Sequence, residues 1–82
     1  MESEAEVEVV QYVVQNLCED YWQDEDPIEA FDTLDEAVSK AMHYAKQCMH
    51  LQHRVVQRRT KRVIRQIQDD EELITFQPLE GI

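Results

Sequence analysis

Four sets of residues in this 82-residue chain are of types that can do chemistry or binding. Cys48, His50 and His53 fall within six positions, with His43 a little upstream, a thiol-and-imidazole set of the kind that holds zinc. Their spacing follows none of the paired-ligand patterns of zinc sites. Cys48 also continues the apolar stripe of a helix, so it reads as a core thiol and no metal is expected. Carboxylates crowd residues 19–20, 24–26 and 69–72. Acid–base catalysis needs carboxyls whose environments push their pKa values apart inside a shaped cleft, whereas these segments read as solvated turns. The single Gly, at position 81, leaves no glycine-rich phosphate cradle, and no Ser or Cys stands in a nucleophile context. The expectation is therefore no enzyme, no catalytic residue and no cofactor.

The third set is "RVVQRRTKRVIRQI", residues 54–67, which holds six of the eight basic residues: Arg54, Arg58, Arg59, Lys61, Arg62 and Arg65. Several phosphate contacts from such a stretch would bind nucleic acid with steep salt dependence. Against this stand a net charge of −10, a pI near 4.5 and no aromatic residue interleaved for base stacking. The fourth set is Tyr21 and Trp22 beside Asp24, Glu25 and Asp26, flanked by Glu19 and Asp20. Aromatic anchors rimmed by charge are the make-up of a protein-binding hot spot.

The elements that must position these groups follow from composition and period. Charge is blocked along the chain. Residues 1–36 carry 13 acids and no Lys or Arg, residues 54–65 carry only basic charge, and residues 69–80 add five acids. The arrangement that answers this order places the basic stretch beside acidic neighbours as cross-strand pairs. "VEVVQYVVQNL", residues 7–17, is Val-rich and reads as a strand with Val10, Tyr12 and Val14 on one face and Val9, Val13 and Leu17 on the other. "EDYWQDEDP" reads as a hairpin loop closed by Pro27, leading into a short strand at residues 28–31.

A helix follows. Thr33 and Glu36 fit a capping box, and Leu34, Ala37, Val38, Ala41, Tyr44, Ala45 and Cys48 make one apolar stripe. Residues 54–67 are expected to form one long strand bulged near Thr60. A pair of strands turning at residues 59–61 is the runner-up, and an amphipathic helix over residues 51–68 is the rival that the β-branched pairs disfavour. "LITF", residues 73–76, reads as a last strand after an acidic turn "DDEE". The fold class is α+β, in the order β-β-α-β-β, with one amphipathic helix on an antiparallel sheet. Residues 1–82 form one domain, with residues 1–6 and 78–82 expected to be frayed.

Two cysteines, an acidic N-terminus without a signal-peptide pattern, and no apolar run near the roughly 18 residues of a membrane span point to a reduced cytoplasmic protein that makes no membrane contact.

Two resemblances bear on function. "AFDTLDEAVSKA", residues 30–41, looks like the strand-to-helix junction of small phage and plasmid α+β proteins, including integrase arm-binding and plant AP2-type DNA-binding domains. In those domains a three-stranded sheet precedes the helix and carries the contacts, whereas here the basic stretch follows the helix, so no site is carried over. The chain as a whole, short, acidic and cysteine-poor, is similar in type to phage- or plasmid-encoded inhibitors of host enzymes, among them anti-restriction and anti-CRISPR proteins. That likeness implies a host protein as target. The expected function is thus a small acidic, non-enzymatic protein–protein interaction module acting through charged surface. A nucleic-acid-binding module using residues 54–65 and a small homodimeric structural protein are the alternatives.

Overall fold

The computed structural model describes residues 7–62 and 66–78. Five elements follow one another: β1 (Val7–Cys18), β2 (Tyr21–Asp24), α1 (Leu34–Gln47), β3 (His53–Arg62) and β4 (Gln66–Phe76). The strands form one sheet in the order β2-β1-β3-β4, every neighbouring pair antiparallel, with α1 packed on one face. The β-β-α-β-β order and the α+β class are those expected. The ends expected to be frayed lie outside the described residues, apart from Pro78.

β1 forms where the Val-rich run puts it. Cys18 pairs with Tyr21 across a two-residue turn, for which Glu19 takes a left-handed φ of 58°. That tight turn corrects the expected hairpin loop: residues 21–24 are β2 itself, so Tyr21 and Trp22 stand on a strand. The short strand expected at residues 28–31 reduces to a single bridge between Phe31 and Tyr12.

α1 starts at the expected cap. Thr33 is extended, with φ −126° and ψ 151°, and its hydroxyl accepts the Glu36 N–H at 3.3 Å. Ala37, Ala41 and Ala45 are its buried residues, and their small side chains let the helix approach the sheet closely. Val14 and Val55 meet Ala37 and Ala41 there, with Tyr12, Phe31, Leu34, Val38, Tyr44 and Phe76 packed around them.

β3 is extended throughout, which excludes the helical rival. It ends at Arg62, so Ile67 belongs to the next strand, and residues 59–61, where the runner-up turned, lie within β3. The irregularity expected near Thr60 falls instead on the other strand. Val55 pairs with Ile74 and Val56 with Glu72, leaving Leu73 as the extra residue in β4. The "DDEE" stretch is no turn but the middle of β4. Four acids are poor strand formers alone; here Arg58 faces Asp70 and Arg59 faces Asp69, and the opposed charges offset that preference.

Candidate interaction surface

Side chains alternate along a strand, so the register sorts them into two faces. With Val14, Val55 and Phe76 under the helix, the helix-free face carries Trp22 and Asp24 of β2, and Val13 and Gln15 of β1. It also carries Arg54, Val56 and Arg58 of β3, and Asp70, Glu72 and Thr75 of β4. Among the described residues no helix covers this face, yet Val13 is 2% exposed and Val56 0%. The long side chains of Arg54 and Arg58 share this face with them, and an arginine can lay its apolar stem on a sheet while its charged head goes to a partner.

Arg58 is the centre of the polar network on this face. Its Nε and Nη2 donate to Oδ1 and Oδ2 of Asp70 at 2.8 and 2.9 Å. Nη1 and Nη2 donate to Oδ2 and Oδ1 of Asp24 at 3.0 and 2.9 Å. One guanidinium thus grips two carboxylates, each in a fork, and ties β4 to β2 across the two central strands. Gln15 adds a donor to Asp24 at 2.9 Å and accepts from Arg54 Nε at 2.8 Å. Arg54 reaches Glu72 at 3.1 Å and stacks on the Trp22 ring with its guanidinium carbon 4.3 Å from the ring centroid. Thr75 donates to the other oxygen of Glu72.

The electrostatics follow the geometry. The Arg58 hydrogen bonds, opposed by burial, hold the Asp24 carboxyl below the usual aspartate range. The same two carboxylates, Asp70 foremost, raise Arg58. The Thr75 hydroxyl and then Arg54 lower Glu72.

A second polar set lies on the helix side. Asn16 donates to Glu25 Oε1 at 2.6 Å and accepts from Gln23 at 3.1 Å. His53, fully buried, has its Nε2 3.6 Å from that Glu25 oxygen, and neither ring nitrogen has a hydrogen-bond partner among the described residues. Farther along, the Tyr44 hydroxyl donates to Glu29 at 2.9 Å and ties the segment after β2 to α1. Burial first, then this bond, pushes the phenol up to about 12.

The residues singled out from sequence are thereby placed. Trp22 and Asp24 share the helix-free face, while Tyr21 alternates away and is 56% exposed. Glu25 is held by Asn16, and Asp26 accepts the Ile28 N–H at 3.2 Å. Arg54, Arg58 and Arg59 are all in ion pairs, the last with Glu8 at 3.1 Å. Lys61 is half-buried on β3, Arg62 contributes backbone to the β3 ladder, and Arg65 lies outside the described residues. Cys48 caps α1, His43 and His50 are exposed, and His53 is in the interior. Among the described residues no group of three or more His, Cys, Asp or Glu is placed to hold a metal ion. Cys18 and Cys48 are free thiols, and no described helix is long and apolar enough to cross a membrane.

Sequence reasoning missed Gln15 as the link between the two arginines, the pairing role of Asp70 and Glu72, and Ile28, which is 91% exposed. The charge blocks held the signal for Asp70 and Glu72; nothing local marks Gln15. No family model, curated protein or solved structure matches the chain.

Proposed function

We propose that this chain is a small non-catalytic protein-binding module that recognises a basic protein surface. The observation supporting this reading is the inward use of its positive charge. Arg54 and Arg58 are each less than one-fifth exposed and engaged by Asp24, Asp70 and Glu72. Residues such as Glu19, Asp20, Asp32, Asp35, Asp69 and Glu71 face solvent. The field a partner meets is therefore negative. Such a field speeds encounter with a positive patch and disfavours nucleic acid. Tyr21 at the start of β2 and Ile28 in the segment after it stand exposed as apolar contacts among these acids. In this reading Trp22 is a structural ring beneath Arg54, and Tyr21 with Ile28 supplies the anchors. Inhibition of a target enzyme by occupying its basic cleft is one use of such a surface.

The test is capture of partners by the tagged protein from nuclease-treated lysate of its source cells, alongside anisotropy with labelled duplex and single-stranded DNA. A stoichiometric protein band, lost at high salt and lost with Tyr21→Ala plus Ile28→Ser, is the expected result. Tight DNA binding that disappears with Arg58→Glu would instead assign the work to residues 54–65.

A further inference from the structure

A sheet with two ends exposes two edges, and the two edges of this sheet are treated differently. β4 forms one of them and guards it with four consecutive acids and the extra residue at Leu73, both devices that discourage a further strand from adding. The opposite edge is divided. β2 covers residues 15–18 of β1, the Glu25 N–H bonds the Val14 carbonyl at 2.9 Å, and Phe31 exchanges two 2.8 Å backbone bonds with Tyr12. Beyond Tyr12 toward the N-terminus, residues 7–11 pair with β3 on one side, and no described residue pairs with them on the other.

The direction of the free groups follows from the bonds already made. Tyr12 and Val14 turn their backbone groups away from β3, so with a period of two Val10 and Glu8 present their N–H and C=O to the open edge. This stretch carries one charged side chain, Glu8, and that one is tied back to Arg59 at 3.1 Å. Val9 and Val10 are 45% and 39% exposed. The edge is thus hydrogen-bond-ready, apolar and unguarded, the opposite of β4.

We infer that a second copy of this chain occupies the edge, with residues 7–11 of the two copies pairing antiparallel about a two-fold axis at Val9. In that register Glu8 and Val10 of one copy face Val10 and Glu8 of the other. Each of these pairs exchanges both of its N–H···O bonds, so every outward backbone group of Glu8 and Val10 is satisfied. Val9 faces Val9 as the close, non-hydrogen-bonded pair on the helix-free side. No charge stands directly opposite a like charge. On the helix side, the row Arg59–Val10 of one copy continues into Glu8 of the other, because Val10 pairs with Arg59 within each chain. The half-exposed Arg59 guanidinium, already on its own Glu8, faces the glutamate of the second copy as well. Registers centred on Glu8 or Val10 would instead oppose the two glutamates directly or run into the Tyr12–Phe31 bridge. The result is a continuous sheet through both copies, with β3 remaining an inner strand in each, and it does not depend on the proposed function.

Sedimentation equilibrium of the unaltered protein tests the dimer, and cysteine cross-linking tests its register. The expected outcome is a concentration-dependent dimer that Val9→Lys weakens at least about tenfold, since it sets like charges face to face. In a Cys18→Ser, Cys48→Ser background, Val9→Cys should link two copies by a disulfide on mild oxidation, and Val10→Cys, two positions out of register, should not. Circular dichroism checks that each variant is folded. A monomer at every concentration, a dimer indifferent to Val9→Lys, or linkage through Val10→Cys in place of Val9→Cys would overturn the inference. A monomer whose edge is taken by a foreign strand in the capture experiment would do the same.

Discussion

Replacing Arg58 with Met isolates what the double fork contributes. Met retains an unbranched apolar stem on the same face and removes the head that holds Asp24 and Asp70. Hydrogen bonds to charged groups are worth about 1.5–3 kcal/mol when sheltered, and exposed ion pairs about 0–1 kcal/mol. The Arg58 side chain is 17% exposed and each carboxylate 23%, which places both forks between those limits. The expected loss is therefore about 2–4 kcal/mol. A domain of this size has roughly 4–12 kcal/mol in total, so the variant folds but with a clearly lower urea midpoint.

The pH dependence separates charge from packing. Asp24 has its carboxyl depressed below its ordinary 3.8 by Arg58. Its contribution is fully present above that value and lost as pH falls through the lower folded one. The gap between the parent protein and Arg58→Met should accordingly be widest near neutral pH and shrink once pH falls below 3.8. Urea unfolding at both pH values reads this directly. A gap under about 0.5 kcal/mol at neutral pH, the level of fully exposed pairs, would refute the assignment of Arg58 as the brace of the helix-free face. So would a gap that acid leaves unchanged.

Two further outcomes follow from groups on the helix side. Tyr44, raised from 10.0 to about 12 chiefly by burial, contributes stability that is present below pH 10 and lost as pH rises toward 12; Tyr44→Phe should flatten that alkaline slope in urea titrations, and an unchanged slope would place the titration elsewhere. His53, buried with neither ring nitrogen hydrogen-bonded among the described residues, should be replaceable: His53→Leu is expected to raise the unfolding free energy by about 1 kcal/mol at neutral pH in urea titrations, whereas a loss of that size would mean the imidazole is held by a bond that its distance from Glu25 does not suggest.

The long-period features of the fold were legible. β-branched density marked β1, the capping box and alanine stripe marked α1, and the acidic–basic–acidic order foretold that the arginines would be flanked by carboxylates. Three readings failed for local reasons. Two-residue turns are usually marked by Gly or Asn, and this one uses Glu19, so β2 was hidden inside what looked like a loop. "DDEE" has the composition of a turn, and its strand conformation exists only because β3 sets Arg58 and Arg59 opposite it. The bulge at Leu73 depends on the pairing of two strands, which neither strand's own pattern contains. Gln15 escaped because an amide relay between two arginines is defined by three strands at once.

The inner position of β3 bears on how the chain avoids misassembly before it is folded. β1 is a Val-rich strand whose long partner begins at His53, with the whole of α1 lying between them in sequence. Closing that distance is slower than forming the β3–β4 hairpin, whose two strands are nearly adjacent. While β1 waits, the part of it that β2 does not reach, residues 7–13, is an apolar-rich segment with both edges open, the kind that recruits other unfolded chains. The block of 13 acids and no basic residue in residues 1–36 surrounds it during that interval, and repulsion between chains bearing the same block acts as a gatekeeper. Once β3 arrives, several of those carboxylates change office. Asp24 and Glu8 cease to keep chains apart and become the clamps that hold the strands of one chain together.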